Sequence, residues 1–141
     1  TTAKVPHAWE FDHDDLGYNF RMPNLNAALA CAQLKRLEKI LEEKRSIAAS
    51  YQRFFADQHW AEFCQEPEGT LSNYWLCAIK LNKAQDKNAF LQELNDNKIM
   101  TRPVWKLMTE LPMYANCQTG PQDNARWLRD CVVNLPSGVR A

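Results

Sequence analysis

From Leu25 onward, apolar residues recur at three- and four-residue steps: Leu25, Ala28, Leu29 and Ala32, then Leu34, Leu37, Ile40 and Leu41. That is the period of a helix with one buried stripe. The register continues through Ile47, Ala48, Tyr51, Phe54 and Phe55 toward His59 and Trp60, and no Gly or Pro lies between Pro23 and Pro67 to force a break. Pro23 suits a first helical turn, where its missing N–H costs nothing. The pattern predicts one long helix, or two joined by a kink. Lys35, Glu38, Lys39, Glu42, Glu43, Lys44 and Arg45 fill the rest of its circumference with mixed signs, as a solvated face does.

After Pro67 and Gly69 the pattern changes. Residues 74–81, Tyr-Trp-Leu-Cys-Ala-Ile-Lys-Leu, form an aromatic and aliphatic run that predicts a central strand. Residues 86–97 read as a short amphipathic helix using Phe90, Leu91 and Leu94, and residues 99–102 as a short strand stopped by Pro103. A loop with two prolines leads to Tyr114. Residues 119–132 predict a helix with Pro121 in its first turn, and residues 132–136 a closing strand. The alternation of helix and strand gives an α/β or α+β fold of two layers, with helices on a short, partly antiparallel sheet.

Composition narrows the function classes. The chain has 141 residues, 45% of them hydrophobic, enough for one core-bearing domain, and no linker or repeat divides it. Its 17 basic and 17 acidic residues are interleaved, so no net field draws nucleic acid or an anionic membrane surface. No apolar run approaches the roughly 20 residues of a membrane helix, and the chain reads as soluble and cytoplasmic. Cys31, Cys64, Cys77, Cys117 and Cys131 are odd in number and lack any C-x-x-C pair, which predicts reduced, mostly buried thiols. His7 and His13 have only the acidic stretch Asp12, Asp14 and Asp15 near them, so no metal site is expected.

The chemistry concentrates before the helix. Residues 1–16 carry no regular period, yet hold Val5, Trp9 and Phe11, which predicts a segment that belongs against another body. Residues 13–23, His-Asp-Asp-Leu-Gly-Tyr-Asn-Phe-Arg-Met-Pro, lead directly into a helix N-terminus, where free N–H groups and the positive end of the dipole favour an anion. Asn19 and Arg21 could add an amide donor and a guanidinium to it. Equally, Asn19 could be a turn residue and Arg21 a surface ion-pair partner.

Residues 17–37, Gly-Tyr-Asn-Phe-Arg-Met-Pro-Asn-Leu-Asn and onward, closely resemble the segment that opens the small C-terminal domain of DegT/StrS-type sugar aminotransferases, enzymes of fold type I. Further matches follow in order: Arg45 with Tyr51, Asn73-Tyr74-Trp75, Thr101-Arg102-Pro103-Val104-Trp105, Leu111-Pro112-Met113-Tyr114 and Asn134-Leu135-Pro136-Ser137. Five collinear motifs spread the resemblance over almost the whole chain.

The resemblance implies an enzyme in which a large-domain lysine holds pyridoxal phosphate as a Schiff base, and an amino group passes from glutamate or glutamine to a nucleotide-linked keto-sugar. It implies a homodimer with sites between subunits. Residues 1–22 would lead out of the large domain and contribute to the cofactor site, and residues 23–141 would be the small domain. Asn19 matches the residue that reaches the cofactor phosphate in the partner subunit. Tyr18 and Arg21 match positions lining the same subunit boundary on the substrate side, His13 would add a hydrogen bond at the same mouth, and Trp105 and Tyr114 flank a loop that lines the sugar-nucleotide pocket. Many relatives place a histidine in that loop, where this chain has Lys106-Leu107-Met108-Thr109. None of the lysines here sits in a segment like the family's Schiff-base segment, so the resemblance implies a piece of a longer subunit, inactive alone. The competing expectation is a free-standing interaction domain that kept the fold and lost catalysis.

Overall fold

The computed structural model describes residues 4, 5, 7, 9–18 and 22–139. A two-stranded ladder, β1 (Lys4–Val5) with β2 (Asp12–His13), precedes two helices, α1 (Asn24–Leu34) and α2 (Leu37–Phe55). Then come β3 (Ala61–Phe63), β4 (Cys77–Leu81), α3 (Lys87–Asp96), β5 (Arg102–Pro103), α4 (Asp123–Cys131) and β6 (Val132–Leu135). Strands β3 to β6 make one sheet in the order β3-β4-β6-β5.

The predicted helix is two helices. The break falls at Arg36, whose φ of −106° and ψ of 6° leave the helical basin while its N–H donates to Gln33 O at 2.9 Å. No breaker residue marks the place. What changes there is the apolar pattern: α1, Asn-Leu-Asn-Ala-Ala-Leu-Ala-Cys-Ala-Gln-Leu, buries no residue, whereas α2 has a buried stripe through Ala48 and Phe55 flanked by Ile47 and Tyr51. Pro23 stands one residue earlier than expected, at the N-cap, with its carbonyl accepting the Ala27 N–H.

All three ladders of the four-stranded sheet are antiparallel rather than mixed. β4 and β5 run in the same direction across the helical crossover α3, but β6 inserts between them and pairs with both, the arrangement of a split βαβ unit. Strand parity assigns the faces. Cys77, Ile79 and Leu81 of β4 lie with Ala61, Phe63, Val133 and Leu135 on the face covered by α2 and by Leu91 of α3. Ala78 and Lys80, opposite Asn134 and Val132, take the other face, where the Lys80 ammonium pairs with Glu62 and lies 5.7 Å from the ring of Trp127 in α4.

Expected boundaries move: the strand read over 74–81 begins at Cys77. The strand after α3 starts at Arg102 and includes Pro103, because Lys98 closes the helix with φ 61° and buried Thr101 is tied back to the Asn95 amide. Pro103 is tolerated since β5 is an edge strand. The last helix begins at Asp123, beyond Pro121. β3, only three residues long, had no pattern long enough to be recognised. All five cysteines are free thiols, but only Cys77 and Cys131 are buried; Cys31 lies on the bare α1, while Cys64 and Cys117 lie in loops.

Candidate functional site

The sheet face opposite the α2 core carries the site. Arg102 pairs in register with Asn134, so its side chain emerges on that face, and the chain then turns outward to Trp105. Segment 9–13 packs against this corner. Phe11 stacks on Trp105 with ring centroids 5.4 Å apart, and the Arg102 guanidinium lies 4.9 Å from the Phe11 ring. Lys106 donates to Asp12 at 2.8 Å with Glu10 at 3.9 Å, an ion pair that holds the Asp12 carboxyl below its usual range and raises the Lys106 ammonium. Trp9 packs against the main core. Of the residues expected to belong against another body, Trp9 and Phe11 also meet this domain's own surface, with the Lys106–Asp12 pair fixing the chain beside Phe11, while the Val5 side chain lies outside the described residues.

Trp75 completes the corner, stacked on Trp105 at 6.2 Å. Its backbone is fixed from several directions. Arg45 donates to both oxygens of Glu66, at 2.6 and 3.0 Å, and to Ser72 O at 2.7 Å; Glu66 in turn accepts the Ser72 N–H at 2.5 Å. These bonds pull the Glu66 carboxyl down to about 2. Tyr74 has φ 43°, a left-handed conformation that strains a bulky residue. Its ring lies 5.6 Å from the Arg45 guanidinium, its hydroxyl accepts the Glu66 N–H, and its N–H donates to Ser72 Oγ. Lys44 donates to Trp75 O at 2.9 Å and Ser137 O at 2.6 Å, while Tyr51 donates to Pro136 O at 2.9 Å. Ser137 Oγ accepts the Cys77 N–H at 2.7 Å. Lys44 and Arg45, expected on a solvated face, thus turn inward and carry the clasp.

Between these parts lies a cleft of about 270 Å³ lined chiefly by Phe11, Trp75, Met100, Arg102, Trp105 and Asn134. Its walls are aromatic and aliphatic with one guanidinium, which has no carboxylate within ion-pair distance among the described residues. Such a lining suits a planar ring joined to an anion. No lysine lines it, so the described residues fit a substrate-facing role, and no step through a cofactor is derived from them.

The predicted site residues separate. Trp105 lines the cleft at 45% exposure. His13, half-buried in β2, follows Asp12, the Lys106 partner, and so stands at the same corner. Tyr18 is 70% exposed, and Tyr114, half-buried in a short 3-10 turn, does not line the cleft. Asn19 and Arg21 lie outside the described residues. Trp75, Arg102, Met100 and Phe11 join the site only in the fold; the signal for them in the sequence is an arginine and a tryptophan in Thr101–Trp105 together with the second tryptophan of Asn73–Trp75. In the stretch Lys106-Leu107-Met108-Thr109, the Thr109 hydroxyl donates to Gln122 Oε1 at 2.7 Å. Among the described residues no cluster of three His, Cys, Asp or Glu could hold a metal, and no helix is long and apolar enough to cross a membrane.

Residues 3–140 match the DegT/DnrJ/EryC1/StrS aminotransferase family. GDP-perosamine synthase of Vibrio cholerae is 36% identical over 130 residues, covering 89% of this chain and 35% of that protein; the Escherichia coli O157:H7 enzyme of the same name is 31% identical over 106 residues. Among solved structures, Helicobacter pylori PseC, an aminotransferase involved in the biosynthesis of pseudoaminic acid, superposes with a TM-score of 0.74 at 20% identity, covering 96% of this chain and 38% of its own. The sugar aminotransferase CalS13 from Micromonospora echinospora gives 0.70 at 25% identity, covering 91% and 34%. The chain spans about a third of the length of the curated relatives it matches.

Proposed function

This chain belongs to the DegT/DnrJ/EryC1/StrS aminotransferase family, and from that premise we propose that it is the C-terminal part of a pyridoxal-phosphate-dependent aminotransferase. The enzyme moves an amino group from glutamate or glutamine to a nucleotide-linked keto-sugar, for surface polysaccharide or amino-sugar biosynthesis. The observation that supports this reading best is the cleft at Trp105: an aromatic wall and a guanidinium with no carboxylate partner among the described residues, and no lysine in its lining.

In this reading residues 1–22 lead out of a cofactor-binding large domain, residues 23–141 form the small domain, and two cytoplasmic subunits pair. Pyridoxal phosphate, held on a lysine of the large domain, supplies the electron sink of transamination. This chain's residues bind and orient. Asn19 donates its amide to the cofactor phosphate in the partner subunit. Tyr18, Arg21 and His13 line the substrate entrance, Trp105 faces the sugar nucleotide, and Tyr114 supports the loop behind it. Without the lysine, this chain alone is inactive.

Two measurements test the proposal. The chain alone is expected to show no transaminase turnover, while a subunit extended by its cofactor domain turns over a nucleotide-linked keto-sugar. In that subunit Asn19→Ala weakens cofactor retention by about 1–3 kcal/mol, the loss expected when a charged group forfeits a hydrogen bond. Unchanged cofactor titration of the variant dimer refutes the Asn19 role, and turnover by the chain alone refutes the division of labour.

A further inference from the structure

We propose that Lys87 is an acylation site: its amine takes the acyl group of a small acyl phosphate that enters the cavity between α3, β5 and α4. The proposal stands apart from the aminotransferase reading and concerns side chains that the cleft at Trp105 does not use.

The lysines whose side chains are described differ in what holds them. Lys39, Lys80 and Lys106 pair with Glu43, Glu62 and Asp12. Lys35, Lys83 and Lys98 are exposed to solvent. Lys44 commits two N–H bonds, to Trp75 O and Ser137 O. Lys87 shares none of these situations. It is half-buried at the start of α3, has no carboxylate within ion-pair distance among the described residues, and makes one bond, to Arg129 O at 2.7 Å. An unprotonated amine still has two N–H groups, so it can keep that bond and present its lone pair to the cavity.

The surroundings favour that form. Burial strips water from the ammonium and draws Lys87 below the ordinary lysine range; Arg129 adds to the effect, while Asp130, Glu10 and Cys131 oppose it. Lys106 and Glu110, the other charged groups lining the cavity, are already ion-paired, with Asp12 and with Arg129. A desolvated lysine freed of its proton is a nucleophile.

The cavity defines the partner. It holds about 210 Å³, with Phe11, Pro103 and Val104 as apolar wall and Lys106 and Arg129 in the same lining. A short acyl chain suits the wall, and a phosphate suits the two cations, which their carboxylates hold in place. In the step, the Lys87 lone pair attacks the acyl carbon and a C–N bond forms. The bond from that carbon to the phosphate oxygen breaks, inorganic phosphate leaves with the electron pair, and a proton passes from the nitrogen to water. No oxidant or reductant takes part. The amide that results keeps one N–H for Arg129 O but carries no charge.

Incubation of the chain with acetyl phosphate from neutral to alkaline pH, with acetylation at each lysine followed by peptide mass spectrometry, tests this. Near neutral pH Lys87 is expected to react at least about fivefold faster than Lys35, Lys83 or Lys98, and its rate levels off at lower pH than theirs. Glu10→Gln removes a carboxylate that favours the ammonium, so it raises the Lys87 rate and leaves those three unchanged. Lys87→Arg removes the fast site without raising labelling elsewhere. Thermal melts matching wild type show that both variants fold. A Lys87 rate no greater than that of the three exposed lysines overturns the proposal, as does a Lys87 rate that Glu10→Gln leaves unchanged. Faster reaction of Lys87 in urea than in the folded chain overturns it too, because the fold would then shield the amine rather than activate it.

Discussion

α1 leaves Leu25, Leu29 and Leu34 at 80%, 59% and 63% exposure, while α2, starting three residues after α1 ends, buries Ala48 and Phe55 and reaches with Lys44, Arg45 and Tyr51 into the loops that carry Trp75 and Ser137. Both are built from good helix formers. They differ in where the apolar residues fall: on α2 they make a stripe, whereas on α1 leucine, alanine and cysteine occur all round. A helix of the second kind normally lies inside a protein. The contrast separates residues that hold this domain together from residues that this domain, by itself, does not use.

The comparison is broken most forcefully at the α2 side, in the core. Leu91 is 1% exposed and Ile79 fully buried, so Leu91→Ala or Ile79→Ala is expected to destabilise the chain by about 2–5 kcal/mol, through lost transfer energy and the cavity left behind. Urea unfolding measures it; a loss below 1 kcal/mol would mean the sheet and α3 do not share one core.

Next in size is Ser137. Its Oγ both accepts the buried Cys77 N–H and donates to Leu135 O at 2.7 Å, so it stitches the end of β6 to the start of β4. Ser137→Ala leaves that N–H without a partner, for an expected loss of about 1–3 kcal/mol. Equal stability of variant and wild type would show that water replaces the hydroxyl.

The Arg45–Glu66 clasp gives a pH signature. Glu66 lies near 2 in the folded protein against an ordinary value of 4.5, so the folded state binds fewer protons than the unfolded one over that interval. The stability it contributes is complete above 4.5 and is lost as pH falls toward 2. The melting temperature of Glu66→Gln is therefore expected to fall less steeply than that of wild type through this window. Parallel curves for the two proteins would remove Glu66 from the acid response.

Much of this architecture could be read from residue order. The stripe of α2, the run ending in Cys77–Leu81, and Val132–Leu135 each carry enough periodicity to mark an element. The break at Arg36 could not be read with certainty, because backbone geometry ends α1 there without a Gly or Pro. β3 is too short for a pattern, and the insertion of β6 between β4 and β5 is a long-range choice that local residues do not encode. Of the site, resemblance marked Trp105 and the segment near His13. Trp75 and Arg102 stand in motifs that were recognised, but only the antiparallel register of β5 with β6 and the docking of Phe11 bring them to one cleft.

The smallest effect is expected on α1, and it is the sharpest test of the contrast. Leu29 and glutamine have similar helix propensities, so Leu29→Gln leaves the local helix energetics nearly unchanged and reports only on burial. If α1 packs on nothing within this chain, the substitution shifts unfolding by no more than about 0.5 kcal/mol, the range of surface changes. In a longer subunit that encloses the helix, the same change would bury an amide without a partner and destabilise by several times as much. Measuring Leu29→Gln in both contexts separates the two ideas: a loss above 1 kcal/mol in this chain places a partner for α1 within it, and a small loss in both leaves the apolar circumference of α1 unused.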